Sequence, residues 1–146
     1  MKTAVLVSRC LLGEPCRYDG GDNRCAAVCR LSERYRLISV CPECDGGLPT
    51  PRLPSERVGE RVLMCDGSDV TEAFALGAQS ALRLAQANSI AFAVLKAKSP
   101  SCGKGEIYDG SFSRKTAKRS GVTAELLEKM GFTVLTEQDF PIEENS

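Results

Sequence analysis

Four of the eight cysteines lie where thiolates from separate parts of the chain could be brought together. Cys10, the pair Cys41 and Cys44, and Cys102 each come shortly after an apolar run of strand length. The sequence contains no histidine, so the commonest general base and the commonest zinc ligand are both absent. Acid–base chemistry therefore falls to Asp, Glu, Cys, Tyr or Lys, and any metal site depends on thiolates.

The segment Cys41-Pro42-Glu43-Cys44 is compatible with several kinds of site. A dithiol motif of the thioredoxin kind should open a helix, which lowers the thiol pKa, but the sequence Gly46-Gly47-Leu48-Pro49 that follows predicts a loop. Half of a structural zinc site needs a second close pair of ligands, and Cys25 and Cys29 instead have the spacing of one helical turn. Two other interpretations of this motif stay open: zinc bound by cysteines from separate loops, and free thiols with a purely structural role.

An iron–sulfur cluster is the interpretation that uses most features of the sequence. Three thiolates from three loops can hold three irons of a [4Fe–4S] cluster, and the fourth iron is then free to act as a Lewis acid towards a substrate atom. Glu43, which precedes Cys44, would be placed for proton transfer to that substrate.

The elements that must position these thiols are predicted from the apolar periodicity. Strands are predicted at residues 4–7, 36–40, 61–64, 89–95 and 132–135, helices at about 22–35, 69–88 and 124–130, and long loops at 41–58 and 96–119. This alternation predicts a Rossmann-like α/β fold, a single domain over residues 1–146 with a mainly parallel sheet and flanking helices. Open α/β sheets bind ligands at the carboxyl ends of their strands, so the cysteines that follow the strands are expected at one crevice.

The remaining cysteines have less specific surroundings. Cys25 and Cys29 are expected to be small core residues of the first helix, because free cysteine is among the most buried residue types. Cys65, at the end of a short strand, is also expected in the core. Cys16 lies in a loop and is compatible with either a structural or a functional role.

The composition is that of an ordinary soluble protein. With 42% hydrophobic residues, 26% charged residues and a formal net charge of zero, it gives no sign of strong attraction to nucleic acid or membrane. No apolar segment reaches membrane-spanning length, so we expect a cytoplasmic protein without a membrane partner. The basic run 114–119 predicts a solvated face, although it would be a phosphate contact if the substrate were thiolated tRNA. The sequence indicates no oligomeric state.

Four motifs in order resemble those of the thiouracil desulfidase family. They lie within residues 7–20, 41–52, 67–78 and 95–110, and cover nearly the whole chain. The resemblance implies a [4Fe–4S] cluster held by Cys10, Cys44 and Cys102, with the substrate sulfur taken by the fourth iron. It implies a small-molecule substrate, 2- or 4-thiouracil or a related nucleoside or nucleotide, and release of the oxo base and hydrogen sulfide without net redox.

The resemblance also implies which residues act on the substrate. The expected catalytic groups are Glu43 and a serine of the Ser-Pro-Ser-Cys loop, for which Ser99 is the first choice and Ser101 the second. Arg52 is expected to bind a phosphate or carboxylate of the substrate, since its planar fork suits either, with a surface arginine as the alternative.

Tyr18 and Asp19 are expected to contact the substrate, or else only to order the first loop through turn hydrogen bonds. Two further classes of function stay open. A non-catalytic protein could use a cluster or metal to sense iron, oxygen or sulfide, but no helix-turn-helix signature is present. An enzyme that adds sulfur would need an activating nucleotide, and the sequence has no phosphate-binding loop of the Gly-x-x-x-x-Gly-Lys-Ser/Thr kind.

Overall fold

The computed structural model describes residues 2–140, and the strands and helices within that range alternate along much of the chain. The strands are β1 (Thr3–Ser8), β2 (Tyr35–Val40), β3 (Ser55–Val58), β4 (Arg61–Met64), β5 (Ala93–Leu95), β6 (Ile107–Tyr108), β7 (Thr116–Ala117) and β8 (Val134–Thr136). The helices are α1 (Ala26–Cys29), α2 (Pro42–Asp45), α3 (Thr71–Ala87) and α4 (Val122–Lys129).

A four-stranded parallel sheet forms the centre of the fold, in the order β2-β1-β5-β8. Helices flank this sheet, so the predicted α/β class is confirmed. β3 pairs with β4, and β6 with β7, as separate antiparallel hairpins. The parallel arrangement brings the carboxyl ends of β1, β2 and β5 to the same edge.

The side chains of β1 alternate between two apolar layers, as expected for a strand buried on both faces. Val5 and Val7 belong to the cluster that contains Val28 of α1. Leu6 belongs to the other cluster, with Ala81 of α3 and Leu127 of α4. Each fully buried Val or Leu contributes roughly 1.5–3 kcal/mol to folding. Because apolar side chains pack on both faces of β1, the sheet edge is held firmly in place.

The first helix is much shorter than predicted. Residues 22–25 are extended because they pair with the loop after β1: Asn23 donates its backbone N–H to the Cys10 carbonyl, and Cys25 to the Leu11 carbonyl. Asp22 accepts the Arg24 backbone N–H at 2.9 Å, which favours a turn over a helix. These contacts turn Asn23 towards the sheet edge.

The segment after β2 contains a helical turn, which the prediction of a continuous loop missed. Pro42 is at the first helical position, where its missing N–H costs nothing. The Asp45 carboxylate accepts the Cys41 backbone N–H at 3.1 Å and also pairs with Arg9 at 3.2 Å. The turn is therefore held both by its own cap and by the loop after β1. β3 was also missed, because its residues Ser55-Glu56-Arg57-Val58 carry no apolar strand pattern.

Helix α3 begins and ends close to its predicted bounds. It packs directly against the α2 turn. Gly77 lies so close to the Pro42 backbone that a Cβ atom there would collide with the Pro42 carbonyl oxygen. A Cβ atom on Gly46 would collide in the same way with the Ala73 carbonyl oxygen. The two glycines thus permit direct backbone contact between α2 and α3.

None of the helices within residues 2–140 is long and apolar enough to cross a lipid bilayer.

Candidate active site

A cavity of about 630 Å³ opens at the carboxyl ends of β1, β2 and β5. Its walls include side chains from the loop after each of these strands, as the sequence predicted. Five cysteines line it: Cys10, Cys16, Cys41, Cys65 and Cys102. Thiols from distant parts of the chain therefore meet at one place.

The two cysteines of the α2 segment have different surroundings. Cys41 precedes the helical turn with an extended backbone, is buried and lines the cavity. Cys44 does not line the cavity; its Sγ lies 3.3 Å from Thr50 Oγ1 and accepts a hydrogen bond from Arg52 Nη1 at 3.6 Å. Of the two, Cys41 thus shares the cavity with Cys10 and Cys102, whereas the sequence analysis placed Cys44 with them.

The thiols of Cys10 and Cys41 are poised to ionise. A hydrogen bond with the Cys16 thiol lowers the pKa of Cys41 to about 6 and that of Cys10 to about 7, although burial opposes both shifts. Asn23 Nδ2 also donates to Cys10 Sγ, at 3.3 Å. The same hydrogen bonds raise the pKa of Cys16, which stays a thiol. Cys16 thus lies beside both Cys10 and Cys41 and can donate its single proton to one of them at a time.

Cys102 lies at the deepest point of the cluster of thiols. Burial raises its pKa to about 12, together with the charges of Cys10 and Cys41 and against the effect of hydrogen bonds from Ser8 and Ser101. Thiolates that share one site repel one another, which opposes their ionisation. A cationic metal centre would remove the penalty, because coordinated thiols lose their protons.

Glu43 projects from the α2 turn into the cavity, where two side chains fix its carboxylate. Ser101 Oγ donates to Oε2 at 3.1 Å and Arg52 Nε donates to Oε1 at 3.1 Å. The side chain of Glu43 is 15% exposed, so it can reach a ligand in the cavity. Cys102 Sγ lies 3.6 Å from the same hydroxyl, whose single proton can be donated to Glu43 or to the sulfur but not to both at once. A carboxylate, a hydroxyl and a thiol are thus linked in one chain.

The two serines of the Ser-Pro-Ser-Cys loop have different roles. Ser99 Oγ accepts the backbone N–H groups of Ser101 and Cys102, at 3.2 and 3.1 Å, and so closes the turn that presents Cys102. Ser101, the second choice from the sequence, is the serine in contact with Glu43.

Arg52 is a structural neighbour of Glu43 and Cys44. Besides Glu43, its guanidinium donates to the Pro49 carbonyl, to Thr50 Oγ1 and to the Cys16 carbonyl. Its side chain is only 3% exposed. Through these contacts Arg52 holds Glu43 and the first loop in register, and its role as a substrate contact stays a prediction.

Tyr18 and Asp19, the other expected substrate contacts, are separated by the structure. Tyr18 lines the cavity and is 42% exposed. Asp19 lies outside the cavity lining; it accepts the Gly21 backbone N–H at 2.9 Å and pairs with Arg17 at 2.8 Å. Asp19 therefore orders the first loop, which was the alternative interpretation.

The prediction of a core position for Cys65 is wrong, because Cys65 is exposed at the rim of the cavity, in the turn that follows β4. Cys25 and Cys29 are half-buried, and Cys25 packs against the apolar layer that contains Val28. Asn23 was missed: the sequence placed it at the start of the helix predicted at about 22–35, and only its pairing with the Cys10 loop brings it to the thiols.

Thiolates are soft ligands that select iron–sulfur clusters, zinc or copper(I). The sulfur atoms that bind one zinc ion must all lie close to it, since each Zn–S bond is about 2.3 Å long. Within residues 2–140, no group of three or more Cys, Asp or Glu side chains converges in this way. Within the same residues, the five cysteines of the cavity line its wall without forming such a group.

Comparison with known proteins relates this cavity to a defined family. A model of the 2-thiouracil desulfurase family matches residues 5–139. The solved structure of a [4Fe–4S]-dependent thiouracil desulfidase, TudS, superimposes with a TM-score of 0.89 at 45% identity, over 94% of this chain and 93% of that one. An uncharacterised protein of Bacillus subtilis, YbbK, is 38% identical over 145 residues, or 92% of this chain and 96% of the relative. This chain therefore belongs to the 2-thiouracil desulfurase family.

Proposed function

We propose that this protein is a [4Fe–4S]-dependent desulfidase that converts a thiolated pyrimidine and water to the oxo pyrimidine and hydrogen sulfide. The observation that carries this proposal is the meeting of three strand-end thiols with the Glu43–Ser101 pair in one cavity. The likeness to TudS, whose name states both the cluster and the activity, supports the same cofactor and reaction here.

The side chains around the cavity fit such a cluster. We infer that Cys10, Cys41 and Cys102 hold it, because all three line the cavity and come from three different loops. Cys41 takes the place that the sequence analysis gave to Cys44. The hydrogen bond from Asn23 to Cys10 Sγ would remain available to tune that sulfur.

When bound, a cluster with three protein ligands supplies a Lewis-acidic iron that can accept the sulfur of a thiocarbonyl. Glu43 is then the general base that takes a proton from the water attacking the ring carbon. Ser101 and Arg52 each hold one carboxylate oxygen, so the base keeps one orientation. One water molecule supplies the oxygen of the new C=O bond and the two protons that leave with the sulfur as H₂S. The reaction therefore involves no net oxidation or reduction.

Water labelled with ¹⁸O tests this reaction directly. The holoenzyme, incubated with 2-thiouracil under anaerobic conditions, should give uracil in which the label replaces the sulfur atom. Unlabelled uracil, or labelled uracil at the rate of a protein-free control, would contradict hydrolysis at this site.

We further propose that the preferred substrate is a phosphorylated nucleoside. Lys98 and Arg114 line the cavity, and neither forms an ion pair with any residue in the described part of the chain. Free cations at a cavity wall favour an anionic group of the ligand. Lys98→Ala should raise KM for 4-thiouridine monophosphate and leave KM for 2-thiouracil unchanged; an equal effect on both substrates would exclude a phosphate contact.

A further inference from the structure

One wall of the cavity is formed by the tip of the β6–β7 hairpin, residues 109–115. Phe112 and Arg114 of this tip line the cavity, as does Tyr108 at its base. The Phe112 side chain is apolar yet 36% exposed. The tip reaches the cavity from outside the parallel sheet, and the ladder between β6 and β7 is short, with two residue pairs.

Glu56, on β3, joins this tip to the rest of the protein. Its Oε1 accepts the backbone N–H of Gly110 at 2.9 Å and that of Phe112 at 3.2 Å. Glu56 is buried and also lines the cavity. In the described residues no Lys or Arg pairs with it, so these backbone donors satisfy its charge.

Hydrogen bonds from Ser111 to Asp109 and from Asp109 to the Lys115 carbonyl shape the tip internally but do not tie it to the rest of the protein. Among the hydrogen bonds of residues 2–140, those to Glu56 are the only ones that connect residues 109–115 to a part of the protein outside the hairpin. Phe112 and Arg114 have positive φ angles, of 55° and 65°, which side chains disfavour unless the surroundings hold them. Gly110 also has a positive φ, and a Cβ there would lie 2.6 Å from the Arg57 carbonyl oxygen.

We propose that Phe112 is a specificity-determining residue whose ring packs on the flat face of the pyrimidine, and that Glu56 is the positioning residue that holds it there. This proposal rests on the proposed function, since it assigns the wall of the same cavity. Aromatic rings stack on nucleobases in many nucleic-acid-binding proteins. Glu56 acts through the backbone of the tip and does not itself touch the reacting atoms.

A contact to the unreacting face of the ring is the same in the ground state and in the transition state. Its loss should therefore raise KM and leave kcat unchanged. Glu56→Ala and Phe112→Ala should each raise KM about tenfold, which corresponds to about 1.4 kcal/mol. Glu56→Gln keeps an acceptor oxygen and should restore KM close to that of the wild type. Glu60→Ala removes a fully exposed carboxylate from the neighbouring turn and should have no effect.

Hydrogen–deuterium exchange separates this proposal from the proposed function. In Glu56→Ala, the amides of residues 109–115 should exchange faster, and those of β1 should be unchanged. Binding of 2-thiouracil to the reconstituted variants, measured by calorimetry, should weaken in parallel with KM.

Unchanged exchange and unchanged binding in Glu56→Ala would overturn the positioning role. Wild-type KM in Phe112→Ala, which needs no change at Glu56, would overturn the specificity role. If the wild type binds 2-thiouracil but releases no sulfide, the proposed function fails, while the exchange and binding results still decide the role of the hairpin tip.

Discussion

At the residue scale, Cys41 and Cys44 show how neighbouring side chains of one type divide between structure and chemistry. They belong to one motif, from which the family resemblance implies Cys44 as the ligand. The structure separates them, because Cys41 faces the cavity while Cys44 faces Thr50 and Arg52. The motif could therefore be found from the sequence, but the direction of each thiol depends on a helical turn that was predicted as a loop.

Substitution of these two cysteines distinguishes the ligands. After anaerobic reconstitution, Cys41→Ser should bind clearly less iron and sulfide per chain than the wild type, since one of three thiolate ligands is lost. Cys44→Ser should retain a full cluster and serves as the matched control. Full iron content in Cys41→Ser together with loss in Cys44→Ser would return Cys44 to the ligand set.

Ser99 and Ser101 provide a second comparison between neighbouring residues. Ser101→Ala should lower kcat about tenfold or more, because Glu43 loses the hydroxyl that orients it. Ser99→Ala should instead lower the free energy of unfolding by about 1–3 kcal/mol, because two backbone N–H groups lose their acceptor. Steady-state kinetics and urea denaturation measure the two effects. A larger loss of kcat in Ser99→Ala than in Ser101→Ala would reverse the roles.

At the scale of elements, the α2 turn carries Glu43 and directly follows Cys41, and helix α3 packs against this turn. Long elements with a regular apolar pattern, such as β1 and α3, were predicted close to their observed bounds. Elements fixed by distant contacts were not: α2 depends on Asp45 and Arg9, and α1 is shortened by pairing with the loop after β1. Local propensity carries no information about such contacts.

Gly77→Ala tests whether the contact between α2 and α3 positions the site. Alanine is the better helix former by about 1 kcal/mol, but its Cβ would collide with the Pro42 carbonyl oxygen. Overpacking of this kind costs about 1–3 kcal/mol, and the strain falls on the turn that carries Glu43. We expect no gain in the free energy of unfolding and a lower kcat.

Gln79→Ala, at an exposed position of the same helix, controls for helix propensity and should leave kcat unchanged. Urea denaturation and steady-state assays give both quantities. A stabilised Gly77→Ala variant with wild-type kcat would show that α2 does not depend on this contact.

At the scale of the whole molecule, the cluster would join the loops that follow β1, β2 and β5. A group that binds only the folded state stabilises it. Removal of the cluster by an anaerobic chelator should therefore lower Tm by several degrees and leave the far-ultraviolet circular dichroism of the sheet and helices nearly unchanged. Equal Tm values before and after removal would show that the loops are already fixed without it.

The most direct test of the central proposal is to measure iron content and sulfide release in the same preparations. Samples reconstituted anaerobically to increasing iron content should release hydrogen sulfide from 2-thiouracil or 4-thiouridine monophosphate in proportion to their [4Fe–4S] content, up to about four irons per chain. A zinc-loaded sample should be inactive. Sulfide release that does not depend on iron, or a fully loaded cluster that releases none from either compound, would contradict a cluster-dependent desulfidase.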